Sequence, residues 1–204
     1  MLSALILLPS LVELVLQGAD HQLWGSVLWR GQAYQYGGFW AGLLHDWRPN
    51  YVLQPEAMFA TYPFLHAGLG HLIGNMLCLA FLGDLVAERA GGRGLLALYA
   101  GSALGGALAF GILSHSPAPM IGASGAIFGL AGVLTVWDGQ TRRSLGQWNR
   151  APLIVLGLAG LNLAMWVMQS GNLAWETHLG GFLAGFLGAA LFAAYPRILA
   201  KIRS

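Results

Sequence analysis

Residues 122–132 read Gly-Ala-Ser-Gly-Ala-Ile-Phe-Gly-Leu-Ala-Gly, an apolar, glycine-rich run that holds a single hydroxyl group, that of Ser124. A serine hydroxyl is a weak nucleophile until a neighbouring base takes its proton. Gly125 and Gly129 are spaced so that they share one helix face, and such faces let membrane helices approach closely. The stretch therefore predicts a tightly packed membrane helix that carries a candidate nucleophile.

The composition indicates that the bilayer is the solvent of this chain. Of its 204 residues, 56% are hydrophobic and only 9% are charged, whereas soluble domains carry about 25% charged residues. A net charge of +2 gives no reason to expect nucleic acid as a partner. The single cysteine, Cys78, excludes an internal disulfide and a cysteine-rich metal site.

Six apolar segments have roughly the length that a bilayer crossing needs, and helices satisfy their own backbone groups in lipid. The predicted fold class is therefore an all-α membrane protein, a six-transmembrane-helix bundle forming one domain over residues 1–204. We interpret the first segment as a retained helix, because no Lys or Arg precedes it as in a signal peptide. The expected spans are 2–18, 66–86, 94–113, 120–137, 151–168 and 177–195.

The connections between these segments carry further predictions. Residues 19–65 are rich in Trp and Tyr and interrupted by polar residues, so they are expected to lie in the membrane interface. Glu13, an acid in the first span, has either a functional role or a position near the interface. The Pro-containing turn before residue 120 and a stop at Pro196 bound the fourth and sixth segments, and residues 196–204 form a basic tail.

Basic residues predict the orientation, because cytoplasmic connections carry an excess of Lys and Arg. They cluster after the second, fourth and sixth segments, which predicts cytoplasmic N- and C-termini. On this topology Ser124, His178, His71 and Asn75 all lie within about one to three helical turns of the outer face. The residues that set the orientation are Arg89, Arg93, Arg142, Arg143, Arg150, Arg197, Lys201 and Arg203.

The sixth segment supplies a candidate base, His178, followed by a second small-residue face at Gly181 and Gly185. Packing of the two small faces would bring the imidazole to Ser124, where it can act as general base and then as general acid. No carboxylate has a convincing claim as a third member, so a dyad is expected. Phe128, one turn below Ser124, is expected to pack against the imidazole. The alternative is that Ser124 is only a small residue easing helix contact.

The second segment carries His71 and Asn75 at positions i and i+4, on one helix face. Both side chains can donate hydrogen bonds to a developing oxyanion, with the Ser124 amide as a third donor near a helix start. The alternatives are a structural His–Asn pair or a metal site, and this set is a poor one for zinc. His66 is expected to have a supporting or interfacial role.

Together these motifs resemble the rhomboid family of intramembrane serine proteases, bacterial type. The resemblance covers about residues 55–195, with the expected first helix and long first connection. The residues that carry it are His66 and His71-x-x-x-Asn75, Gly122-Ala-Ser124-Gly125, and His178 with Gly181 and Gly185.

The resemblance implies a six-helix fold with Ser124 as nucleophile, His178 as base, and His71, Asn75 and the Ser124 amide as oxyanion hole. It implies transmembrane proteins as substrates, a multi-pass position in the inner (plasma) membrane, and neither a metal nor a cofactor. Many bacterial members carry Tyr at the position of Phe128, so a hydroxyl is lost here while stacking is retained. The alternatives are an inactive relative that binds membrane helices, or a transporter, a class that usually shows midplane charges or an internal repeat.

Overall fold

The computed structural model describes residues 1–168 and 171–202, the side chains of Met168 and of residues 193–202 excepted. Within these residues the chain is helical and forms no strand, which confirms the all-α class. Gln169, Ser170 and the end of the predicted basic tail lie outside the described residues. The α-helices are α1 (Leu2–Asp20), α2 (Trp29–Gly37), α3 (Gln54–Thr61), α4 (Leu69–Leu113), α5 (Ser124–Ser144), α6 (Ala151–Met168) and α7 (Trp175–Ile202), with short 3-10 helices at Ala41–Leu44 and Tyr62–Phe64.

Helix α4 joins the predicted second and third spans through a single break. Gly91 has φ 70° and ψ 171°, a left-handed conformation that glycine adopts without steric cost. The break separates two arms, 69–90 and 92–113. The connection expected between the second and third spans, with Arg89 and Arg93, is therefore a kink at Gly91 and not a loop. Among the described residues, α1 and α4 are long and apolar enough to cross a bilayer, and Ala151–Val167 is a shorter apolar helix.

Helix α5 begins four residues later than the predicted fourth span. Met120 lies in extended backbone and exchanges two hydrogen bonds with Phe39, of 3.0 and 2.9 Å. Gly122 then turns the chain with φ 111°, so that Ser124 is the first helical residue. The helix also continues past residue 137, where the predicted span ends, and Asp138 pairs with Arg142 one turn on at 2.7 Å.

Helix α7 is longer than the predicted sixth span at both ends. It begins at Trp175, so that Glu176, which precedes the predicted span, lies in its first turn. It continues past Pro196 to Ile202, and the expectation that Pro196 stops the helix is wrong. Proline removes one intrahelical hydrogen bond, but membrane helices tolerate that loss without ending.

The core of the bundle is formed by α4, α5 and α7, and α7 packs most extensively on the other two. Glycine allows this approach between α5 and α7. A methyl group on Gly181 would overlap the carbonyl oxygen of Gly125, and one on Gly185 would overlap that of Gly129. Helix α6, in contrast, makes few contacts with the bundle.

The first connection is tied to the bundle through a buried ion pair. The Glu13 side chain is 0% exposed and accepts two hydrogen bonds from Arg30, of 2.8 and 3.0 Å. Arg30 also donates to Asp20 at 2.6 Å and to the His66 carbonyl at 2.9 Å. Burial alone would lower the pKa of Arg30, but its hydrogen bonds with Glu13, Tyr34 and Asp20 outweigh that effect and raise it. Glu13 therefore serves to anchor α2 to α1.

We expect Arg30→Met to lower the free energy of unfolding by about 3–5 kcal/mol, because it leaves the Glu13 carboxylate buried without its partner. Arg48→Met is the matched control, since Arg48 is an exposed arginine of the same connection. The measurement is reversible unfolding in detergent. The double variant Glu13→Leu with Arg30→Met should recover much of the loss. Equal stability of Arg30→Met and Arg48→Met would contradict the anchoring role.

Candidate active site

Ser124 and His178 are joined by a hydrogen bond between Ser124 Oγ and His178 Nε2, 2.8 Å long. Ser124 is held by the first turn of α5 and His178 by the first turn of α7. The glycine contacts between these helices bring the two turns together. His178 is 2% exposed, so the hydroxyl and the imidazole meet away from bulk water.

The other ring nitrogen of His178 faces Asn162 of α6, with 2.6 Å between Nδ1 and Oδ1. An amide oxygen only accepts hydrogen bonds, so this contact requires the proton on Nδ1. The Nε2 atom is then free to accept the hydroxyl proton of Ser124. With the amide oxygen as acceptor, His178 carries its proton on Nδ1 and leaves Nε2 unprotonated.

Sequence reasoning did not identify Asn162. It sought a carboxylate as a third group and settled on a dyad without one. A signal was present, because Asn162 is the only amide or charged side chain between residues 151 and 167. A lone polar residue in an apolar membrane helix needs a partner in another helix.

The ring of Phe128 stacks on the imidazole of His178. Their centroids are 4.2 Å apart and their planes differ by 4°. Phe128 lies one turn after Ser124 on α5, so the helix that carries the hydroxyl also fixes the plane of the imidazole. The stacking expected at this position is what the structure shows.

His71 and Asn75 lie in the first two turns of α4 and line the same cavity as Ser124. The backbone N–H of Ala67 donates to His71 Nδ1 at 3.2 Å, which leaves the proton of a neutral ring on Nε2. The Nδ2 atom of Asn75 is buried and has no hydrogen-bond partner within the described part of the chain. Two donors that have no acceptor among the described residues therefore lie together beside Gly122.

Gly122 provides the space for these donors. Its φ of 111° suits glycine, and a methyl group there would lie 2.8 Å from His71 Cε1 and 3.5 Å from Asn75 Nδ2. Its position two residues before Ser124 also puts the start of α5 beside the donors. The first N–H groups of a helix have no intrahelical acceptor, so the Ser124 amide is a third available donor.

His66 precedes α4 and packs beneath this group of donors. It is 0% exposed, and its ring meets that of His71 edge-on at a centroid distance of 5.1 Å. Its carbonyl oxygen accepts hydrogen bonds from Arg30 and Tyr34. His66 thus links the Arg30 network of the first connection to the ring of His71.

A cavity of about 750 Å³ opens onto the site. Its lining includes the Ser124–His178 pair, His71 and Asn75, and also Met165 of α6. Ser124, His178, His71 and Asn75 therefore face one space, which is large enough for an extended peptide segment.

We expect Asn75→Ala to lower kcat by about 10²–10³-fold with the fold intact, as removal of one oxyanion donor does elsewhere. Leu77→Ala is the control, since Leu77 is 67% exposed and lies on another face of the same helix. The measurement is the initial rate of substrate cleavage together with the thermal unfolding curve of each variant. Wild-type turnover in Asn75→Ala would remove Asn75 from the mechanism.

Comparison with known proteins gives one consistent result. The family model described as a Rhomboid domain matches residues 54–195. The chain is 34% identical to RHOMBOID-like protein 1 of Arabidopsis thaliana over 143 residues, 67% of this chain and 34% of that protein. It is 32% identical to Rhomboid protease GluP of Bacillus subtilis (strain 168) over 126 residues, 62% of this chain and 24% of that protein.

The relatives are diverse in source and longer than the matched region. Rhomboid-like protein 11, chloroplastic, of Arabidopsis thaliana is 31% identical over 150 residues, 68% of this chain and 53% of that protein. The matches to the first two relatives span only 34% and 24% of their own lengths. What is shared is the helical region that contains the site.

Proposed function

This chain belongs to the Rhomboid family, and we propose that it is an intramembrane serine endopeptidase that hydrolyses peptide bonds in or near transmembrane segments of membrane proteins. The observation that carries the proposal is the 2.8 Å hydrogen bond between Ser124 Oγ and His178 Nε2. The name of the relative Rhomboid protease GluP gives independent support for peptide-bond hydrolysis in this family.

The first chemical step uses the Ser124–His178 pair. As Ser124 Oγ attacks the carbonyl carbon of the scissile bond, its proton passes to His178 Nε2. Phe128 stacks on one face of the imidazole and fixes the plane of the ring during this transfer. The product of this step is a tetrahedral intermediate with negative charge on the former carbonyl oxygen.

The oxyanion is stabilised by His71 Nε2–H, Asn75 Nδ2 and the Ser124 amide. Donors that are already oriented cost no reorganisation when the charge develops, and each acts more strongly at a largely buried site than in bulk water. The unpartnered Asn75 amide supports this role, because a buried donor without an acceptor is otherwise costly. The positive end of α5 adds to the stabilisation.

The intermediate collapses when His178 gives its proton to the leaving amine nitrogen, which breaks the peptide bond and leaves an acyl group on Ser124. A water molecule then attacks the ester with His178 again as base, and Ser124 is restored. Every proton in this sequence is carried by Ser124, His178, water or substrate. The mechanism therefore calls for no metal ion and no cofactor.

The setting that we propose for this reaction is a bilayer crossed six times, with both termini in the cytoplasm and the site near the outer face. The spans are those of the sequence analysis, adjusted to the helices α1, α4 with its two arms, α5, α6 and α7. The apolar outer faces of these helices suit lipid contact. We propose the plasma membrane as the location and transmembrane proteins as the substrates.

The proposal is tested by reconstituting the purified chain in liposomes with a single-span test protein that has small residues near its outer end. The expected result is two fragments whose new termini lie within or next to the span, identified by mass spectrometry. Capture of the test protein without cleavage would instead support the alternative, a catalytically inactive rhomboid-like protein that binds membrane helices.

A further inference from the structure

The strongest unassigned feature of the site is the contact between His178 and Asn162. Its 2.6 Å length is that of a strong hydrogen bond, and it joins the sparsely packed helix α6 to the base. From this contact we infer that Asn162 is a positioning residue, which completes a Ser124–His178–Asn162 arrangement by fixing the tautomer and orientation of His178. This inference rests on the proposed function.

Two constraints on the imidazole can be separated. Stacking on Phe128 fixes the plane of the ring. A half-turn about the Cβ–Cγ bond would keep that plane but would put carbon atoms where Nδ1 and Nε2 now lie. The hydrogen bond to Asn162 selects one of these orientations. It also holds the proton on Nδ1, so that Nε2 presents its lone pair to Ser124.

The same bond gains strength during the reaction. When His178 takes the serine proton it becomes an imidazolium, and hydrogen bonds from charged donors are about twice as strong as neutral ones. The Asn162 oxygen therefore favours the charged state that forms only after proton transfer. An amide serves this purpose in cysteine proteases of the Cys-His-Asn type.

Asn162 lies in apolar surroundings, apart from its contact with His178. Its neighbours in α6 are apolar, and the cavity of about 240 Å³ beside it is lined by Val155, Leu158 and Ala159 together with Phe128 and His178. Among the described residues, the Asn162 side chain is hydrogen-bonded to His178. A polar group in such a place is most simply explained by the histidine that it contacts.

The test compares Asn162→Leu, which removes the acceptor, with Asn162→Asp, which retains an oxygen at the same position. Leu163→Ala is the control for α6 itself, since Leu163 is 61% exposed on another face of the helix. We expect Asn162→Leu to lower kcat by about 10- to 100-fold with KM unchanged. Asn162→Asp should recover most of the rate, and Leu163→Ala should match the wild type.

A second readout does not depend on activity. In protein labelled with ¹⁵N-histidine, NMR should show neutral His178 with its proton on Nδ1, assigned by its absence in His178→Ala. Asn162→Leu should give a mixture of tautomers, while Asn162→Asp keeps the proton on Nδ1. A merely structural role for Asn162 predicts altered stability with an unchanged tautomer, and that result would overturn the inference.

The two hypotheses fail in different ways. If the wild-type chain cleaves no test protein, the proposed function fails and the tautomer measurement still decides the role of Asn162. If the wild type is active and Asn162→Leu has wild-type kcat or an unchanged tautomer, the role of Asn162 is refuted while the proposed function stands.

Discussion

Ser124→Ala is expected to abolish cleavage of a reconstituted transmembrane substrate, with kcat lowered by about 10⁶-fold, the cost of losing the nucleophile in soluble serine proteases. The side chain is small and lies at the start of α5, so the helix and its glycine contacts should persist. The hydroxyl donates its hydrogen bond to His178, and without it no group remains to form the acyl intermediate.

Ser102→Ala is the matched control for this prediction. Ser102 is also a buried serine of the bundle, 1% exposed, and its hydroxyl has no hydrogen-bond partner among the described residues. Its loss should leave the rate of cleavage unchanged, because its hydroxyl lies beside Gly129, more than one turn of α5 after Ser124, and takes no part in the proposed proton transfers. Residual cleavage by Ser124→Ala at a tenth of the wild-type rate would mean that another residue is the nucleophile.

Gly181→Ala is expected to lower kcat by at least about 100-fold, even in variants that remain folded. Its methyl group would overlap the Gly125 carbonyl oxygen, and relief of that overlap must move α7 away from α5. His178 lies one turn earlier on α7, so the shift is transmitted to its contact with Ser124. A displacement of about 1 Å at a catalytic group costs on the order of 10²-fold in rate.

The same substitution should also lower stability, since overpacking typically costs about 1–3 kcal/mol. Gly157→Ala and Gly160→Ala provide the controls, because a methyl group at either position would meet no atom within 4 Å. These two changes should be neutral or slightly stabilising in the α6 helix. The measurement pairs cleavage rates with unfolding curves, and wild-type rates in Gly181→Ala would show that close packing of α5 on α7 is not needed.

The features that the sequence predicted well depend on local patterns. Apolar run length and low charge predicted the helical class, and the motifs around Ser124, His71 and His178 predicted the family, which the Rhomboid domain match confirms. The six spans, the orientation and the roles of the site residues stay predictions. Helix ends were less accurate, because extended pairing of Met120 with Phe39 delays α5 in a way that no local pattern reveals.

The features that the sequence did not predict depend on partners distant in the chain. The role of Glu13 stayed open between a functional role and a position near the interface. Its partner, Arg30, lies in the first connection, and no sequence spacing relates that connection to α1. Asn162 was missed because the search for a third catalytic group was limited to carboxylates. Both contacts join separate helices, and their existence follows from packing rather than from spacing.

The proposed mechanism requires that His178 makes Ser124 nucleophilic. This is tested by mass spectrometry of the intact protein after reaction with a fluorophosphonate in detergent. We predict one adduct per chain, mapped by peptide analysis to Ser124, and none in His178→Ala. An adduct on another residue, or labelling of His178→Ala at the wild-type rate, would contradict the account.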